Sequence, residues 1–406
     1  MQNFDYQRRT FVMFGRGREN EAGSILKYEG ARRIMIHYDD DASHKPDLFD
    51  RIKRSLDRAG LEFFEFGKTQ EIAWADTVYE GINYCRQEHI DAVLAVGGAS
   101  AINSAKAISA GALYAGDFWD FFSGVREPVR TLINGAITTS SDTGAECSAV
   151  CTIAREIDGK LRKFNKSSPA FLPRFAIINP ELSLSIDNKS TAVAAMDMIA
   201  HVIECYFTNT PNVTLTDELC EGILRTIINT LPRTIEDPND YDARANLMLA
   251  GTLAQNGMCG LGREADWSVH VLELELAATY RTLRGEGLAV LIPAWMTYCL
   301  KHNPMRMAQF ANKIFGIALN YDDPTDTAFK GIEALRVFFH RCGLPQNFFE
   351  MGLPMVDVVK LVESLHLKDG ATIGNYVKLD STACESIYTL AYTYRQTRRL
   401  VPHYVV

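Results

Sequence analysis

Ala92-Val93-Leu94-Ala95-Val96-Gly97-Gly98-Ala99-Ser100-Ala101-Ile102-Asn103-Ser104-Ala105-Lys106 runs from a continuous apolar stretch, through two glycines, into a helix-forming stretch. An unbroken apolar run of this length bounded by glycine reads as a strand buried on both faces, the habit of parallel sheets. Glycines at such a turn let backbone approach a phosphate, and the helix that follows offers free N–H groups and a positive dipole end. The same pair also serves as a plain tight turn between strand and helix.

The flanking sequence repeats the pattern. Strands are expected at Arg9–Phe14, Arg33–His37, Leu61–Phe66, Leu132–Thr139 and Phe175–Ile178, with polar-faced helices between them such as Pro46–Ala59 and Ala75–Glu88. Strands separated by helices predict a parallel sheet covered on both faces. After Asn179-Pro180 the texture changes to Ser190–Thr208, Thr216–Ile228, Asp242–Gly257, Asp266–Tyr280, Ala308–Phe315 and Thr327–Cys342, all reading as helices. The expected division is therefore an α/β dinucleotide-binding domain over 1–180 and an all-helical metal or substrate domain over 181–406. There are no internal repeats.

Composition bounds the function. A chain of 406 residues exceeds what one core usually serves. It is 47% apolar and 23% charged, with 42 Lys+Arg against 50 Asp+Glu and a net charge of −8, so it lacks the basic footprint of a nucleic-acid binder. The apolar stretch Leu288–Leu300 is too short to span a bilayer, and the first residues lack the apolar region of a signal peptide. Nine scattered cysteines without a CxxC pair read as reduced thiols, which places the chain in the cytoplasm.

Two further segments bear on a nucleotide. The usual GxGxxG with an acid downstream is absent; instead Asp39-Asp40-Asp41 closes the second strand. An acid there can hydrogen-bond ribose hydroxyls and repel a 2′-phosphate, although a solvated acidic turn accounts for it equally well. Thr138-Thr139-Ser140-Ser141-Asp142-Thr143-Gly144-Ala145-Glu146 is dense in small hydroxyls after a strand and suits a phosphate, a carboxamide, or a polar turn. In the helical half, Asp197 and His201 are spaced i,i+4 on one helix face, where they can share a divalent cation or simply pair. His270 is a third candidate, because His201 and His270 are the only histidines between His89 and His302.

Taken in order, these segments resemble the iron-containing alcohol dehydrogenase family, in particular its butanol-dehydrogenase-like and aldehyde-reductase branch. The resemblance runs along nearly the whole chain. It includes Phe14-Gly15-Arg16-Gly17, Gly97-Gly98-Ala99-Ser100 with Lys106, Thr143-Gly144-Ala145-Glu146, Lys163 with Ser168-Pro169, the Asp197/His201 pair, Tyr241-Asp242-Ala243-Arg244-Ala245-Asn246, Asp266-Trp267 with His270, and Leu288-Ala289 with Pro293-Ala294. It implies a dehydroquinate-synthase-like two-domain fold and hydride transfer between a nicotinamide cofactor and an alcohol/aldehyde pair. It also implies a divalent metal, Fe²⁺ or Zn²⁺, held by one Asp and three His and acting as Lewis acid. By motif position Asp39, Gly97, Gly98, Ala99, Ser100, Thr139, Thr143 and Lys163 are the cofactor residues, and Asp197, His201 and His270 the first three metal ligands.

The fourth ligand departs. Fourteen positions after His270 the family's last metal histidine is replaced by Arg284, and a second family histidine near the substrate by Leu274. The third glycine of the nucleotide turn is Ala99, and the Asp after its Ser is Asn103. A guanidinium has no lone pair to give a metal and repels a dication, while three ligands can still hold one. The expectation is an oxidoreductase with a weakened metal site and Arg284 and His270 as catalytic residues. Two alternatives stay open. One is a metal-independent reductase of an acidic carbonyl substrate, as in maleylacetate reductases, with Arg284 as electrophile or carboxylate clamp. The other is a catalytically weak nucleotide-binding member of the fold. A lyase or synthase on the same plan ranks lower, since the match past residue 180 follows the dehydrogenases. Asp39, Asp40 and Asp41, where NADP-preferring relatives carry glycines and a Ser, predict NAD(H) over NADP(H). Trp267, Leu274, Tyr280 and Trp295 are candidates for an apolar cleft or for plain core. The family also implies a homodimer, with no nucleic-acid or membrane partner expected.

Overall fold

The computed structural model describes residues 1–69, 72–140, 144–157, 159–368 and 370–397. Six strands form one parallel sheet in the order β1-β8-β5-β4-β2-β3, where β1 is Phe11–Phe14, β2 Arg33–Asp39, β3 Glu62–Thr69, β4 Ala92–Gly97, β5 Ile133–Thr138 and β8 Phe175–Ile178. All six expected strands are present, with ends shifted by up to three residues. Alternate residues feed two cores, as the pleat requires. Ile34, Ile36, Leu94 and Val96 face Leu26, Leu48, Ile52 and Leu56, while Met35, Val93 and Ala95 face Val78, Ile82, Ile102 and Ile108. Helices therefore cover both faces.

One element was missed. Val150–Ile157 (β6) and Lys160–Ser167 (β7) form a separate antiparallel hairpin. The Asp-Gly pair at 158–159 between two alternating runs is a hairpin signal that would have found it. Lys106 anchors this hairpin to the Ala99–Leu113 helix, its buried ammonium donating to the carbonyls of Ser148 (2.8 Å) and Val150 (2.9 Å). Burial lowers its pKa to about 8. On the same sheet His37 is wholly buried, bonded through Nδ1 to the Phe66 carbonyl and through Nε2 to Ser104 Oγ, and burial lowers its pKa to about 4.

Beyond residue 186 the named elements of the described chain are helices, among them Asn188–Tyr206, Thr214–Glu236, Tyr241–Gln255, Ser268–Tyr280 and Arg284–Cys299. No described helix is long and apolar enough to cross a membrane. All nine cysteines are free and buried. The chain makes two compact units that differ from a single division at 180. One comprises Asp5–Ile186 with Pro238–Gly257, the other Met1–Phe4, Asp187–Asp237 and Met258–Val406. The helix Tyr241–Gln255, grouped by texture with the helical half, packs in the sheet-bearing unit. There Thr252 Oγ1 donates to Glu146 Oε1 (2.7 Å), Arg244 Nη2 to the Ile186 carbonyl (3.0 Å), and Arg16 stacks on the Tyr241 ring (3.7 Å).

Candidate functional site

The helical unit brings its site residues together through two close helix contacts. Asp197 and His201 share a face of Asn188–Tyr206, and Glu204 continues that face three residues on. Glu204 is fully buried and its Oε1 accepts from the backbone N–H groups of Val269 (2.7 Å) and His270 (3.3 Å). A carboxylate thus satisfies orphan donors and complements the dipole at the start of Ser268–Tyr280. Its other oxygen contacts His270 Nδ1. The second contact runs through Gly285, where a Cβ would lie 2.2 Å from the Val193 carbonyl oxygen. Only glycine lets the start of Arg284–Cys299 lie on the Asn188–Tyr206 backbone, and this sets Arg284 beside Asp197.

Arg284 Nε lies 2.8 Å from Asp197 Oδ1 and 3.8 Å from Glu273 Oε2. Glu273 is buried, with its side chain 1% exposed, whereas the Arg284 side chain is 41% exposed. A cation in the first turn of a helix is unfavourable by the dipole, and the two carboxylates offset that. His201 and His270 meet edge to face, with ring centroids 6.2 Å apart. Trp267 packs edge-on against both, at 4.8 Å from His201 and 5.3 Å from His270. Burial lowers the pKa of His201 to about 4, with Asp197 opposing and Arg284 adding to the shift. Burial, then Arg284 and His201, holds His270 well below its ordinary value.

Trp267 adopts a left-handed backbone conformation, with φ of 65°. A bulky residue there costs on the order of 1–3 kcal/mol. Asp266 supports the strain. Its Oδ2 accepts from Ser268 N–H (3.2 Å) and its Oδ1 from the N–H groups of Asn375 and Tyr376 (both 2.7 Å). The other expected cleft aromatics lie elsewhere. Trp295 is wholly buried against Phe207 and Tyr376, and the Tyr280 hydroxyl accepts from Asp357 N–H.

In the sheet-bearing unit the nucleotide candidates converge at the carboxyl ends of β2 and β4. The chain steps from β2 outward to β3, then returns to β4 on the other side of β2 and continues to β5. The crevice between β2 and β4 is thus the topological switch point, the habitual ligand site of open α/β sheets. Asp39 Oδ1 accepts from Ala42 N–H (2.9 Å) and its Oδ2 from Gly98 N–H (2.7 Å). Gly97 has φ of 145°, and a Cβ there would lie 2.3 Å from Asp39 Oδ2. Thr139 is buried and donates its N–H to the Gly97 carbonyl (3.1 Å). The Ala99–Leu113 helix has no side-chain cap at its N-terminus, where Ala99 is exposed and Ser100 partly so. An uncapped helix start beside paired glycines fits a diphosphate. Lys163 is exposed on β7, in the separate hairpin. Thr143 lies outside the described residues, as does the side chain of Asp41.

Comparison with known proteins identifies the family. Residues 9–180 match the family description "Iron-containing alcohol dehydrogenase" and residues 191–392 match "Fe-containing alcohol dehydrogenase family, C-terminal". The chain belongs to the iron-containing alcohol dehydrogenase family. It is 31% identical to NADH-dependent butanol dehydrogenase A of Clostridium acetobutylicum, over 97% of this chain and all of the relative. It is 28% identical to the NADPH-dependent aldehyde reductase YqhD of Escherichia coli, over 96% of this chain and all of that one. The crystal structure of NADH-dependent butanol dehydrogenase A from Thermotoga maritima superposes with a TM-score of 0.89 at 34% identity, covering 97% of this chain and 99% of that one. This family member is an NAD(P)-dependent oxidoreductase that moves hydride between an alcohol and an aldehyde.

Asp197 is engaged by Arg284, His270 Nδ1 faces Glu204, and among the described residues no three His, Cys, Asp or Glu side chains are grouped to hold a metal ion. Reading of the sequence missed Glu204, Glu273 and Gly285. Glu204 repeats the Asp197/His201 face at i+3 and Glu273 repeats the His270 face at i+3, so helical spacing carried both signals.

Proposed function

We propose that this dehydrogenase transfers hydride without a divalent metal, the Arg284 guanidinium standing where the family places its Lewis acid. The contact between Arg284 and Asp197 carries the reading. A guanidinium held by its Nε presents its Nη hydrogens to a carbonyl oxygen and stabilises the charge that develops there. The nicotinamide supplies the hydride in reduction and accepts it in oxidation. In oxidation the alcohol proton leaves by way of Nε2 of His270, whose Nδ1 is turned to Glu204, and passes on to solvent; in reduction the alkoxide takes a proton from solvent by the same route. Elemental analysis of protein purified without chelator, beside the Arg284→His variant, tests this. The parent is expected to carry well under one metal per chain and the variant to gain metal. Stoichiometric metal in an active parent, with activity lost on its removal, would overturn the proposal.

NAD(H) is the proposed cofactor, held at the Gly97-Gly98 turn and by Asp39. Both Asp39 oxygens accept backbone N–H bonds, which fix the carboxylate beside the glycine turn, where its charge repels a 2′-phosphate. Fluorescence titration is expected to give at least ~10-fold tighter binding of NADH than NADPH, since one opposed charge at a partly buried site is worth about 1.4 kcal/mol or more. Equal or reversed affinities would remove Asp39 from this role.

A further inference from the structure

We propose that Glu273 is a specificity-determining residue that excludes anionic carbonyl compounds from Arg284. The inference rests on the reading that Arg284 meets the substrate oxygen. Arg284 is a single positive charge placed 2.8 Å from one carboxylate, Asp197, and 3.8 Å from another, Glu273. Glu273 is the more telling of the two, because its side chain is 1% exposed and water cannot screen it. Its position is set by packing as well: a Cβ on Gly287 would lie 3.1 Å from Glu273 Cγ, so the acid's stem rests on the start of the Arg284–Cys299 helix.

Buried Glu204, against His270, places a third carboxylate beside the site. A guanidinium used as a clamp for a substrate carboxylate needs its charge uncompensated by the protein. Here the protein has already supplied two anions, and a third brought to the same guanidinium would be opposed by both at low local dielectric. A neutral carbonyl suffers no such opposition, because its oxygen needs only the hydrogen bonds as charge develops on it. Of the two substrate classes that the sequence leaves open, the charge arrangement favours the uncharged one.

The test compares butanal with 4-oxobutanoate, which differ by one carboxylate, in the parent enzyme and in Glu273→Gln. The parent is expected to favour butanal in kcat/KM by at least ~10-fold. The variant is expected to narrow that ratio about tenfold, mainly through a lower KM for the anion, in line with removal of one opposed charge. A general loss of folded or active enzyme lowers both substrates alike and leaves the ratio unmoved. A parent that favours the anion, or a ratio unchanged in the variant, would overturn the proposal. The same ratio is to be read from calorimetric binding of the unreactive analogues butyramide and succinamate to the NADH complex. Absence of turnover on both aldehydes would count against the function proposed above, while the binding ratio still decides the role of Glu273.

Discussion

Arg284→Gln is expected to lower kcat for aldehyde reduction by about 10²–10³-fold, the loss seen when one preorganised donor to a developing oxyanion is removed. Glutamine keeps polar reach but lacks the fixed charge and the fork of donors. Arg284→Lys restores the charge without the fork and is expected to recover only part of the loss. NADH affinity should stay within about twofold in both variants, because the residues assigned to the nucleotide lie in the other compact unit. Steady-state kinetics with stopped-flow cofactor binding separates the two effects. An unchanged kcat in Arg284→Gln would remove the guanidinium from the chemistry and return the search to Asp197, His201 and His270.

The second large effect concerns stability. Asp217 sits between two buried guanidiniums, accepting from both Nη atoms of Arg306 (2.6 and 2.7 Å) and pairing with Arg263 Nη2 (2.9 Å). The Arg263 side chain is 0% exposed and that of Arg306 10%. Burial pushes the Asp217 carboxyl up, but the Arg306 and Arg263 guanidiniums outweigh it and hold the carboxyl below its ordinary range. Asp217→Ala leaves two buried cations without their shared anion and is expected to cost about 3–5 kcal/mol. For a unit of this size that lowers the melting temperature on the order of 10 °C. Asp217→Asn, which keeps the acceptor oxygen, should cost less. Thermal unfolding followed by circular dichroism checks this, and a drop of only a degree or two in the alanine variant would show that the network relaxes instead.

Much of the sheet was readable because its signals are local. Val93–Val96 and Ile34–Ile36 are apolar runs that only a strand covered on both faces tolerates, and the glycines at 97 and 98 mark where β4 ends. The hairpin of β6 and β7 escaped because its runs carry Lys and Arg on an exposed face, and charge masked the alternation. At the candidate site, helical spacing placed Asp197 beside His201. It could not say that Glu204 would cap another helix at Val269 and His270, since that contact spans 65 residues.

The sequence by itself determined the parallel sheet, the glycine turn at its centre and the helical second half. Each of these depends on neighbours a few residues apart or on one residue's chemistry. Only the tertiary structure decided which core the helix Tyr241–Gln255 joins, because helical periodicity says that a face must be buried and not against what. Only it set Arg284 between Asp197 and Glu273. That arrangement depends on the close approach of two helices at Gly285, a contact made by residues 92 positions apart in the chain.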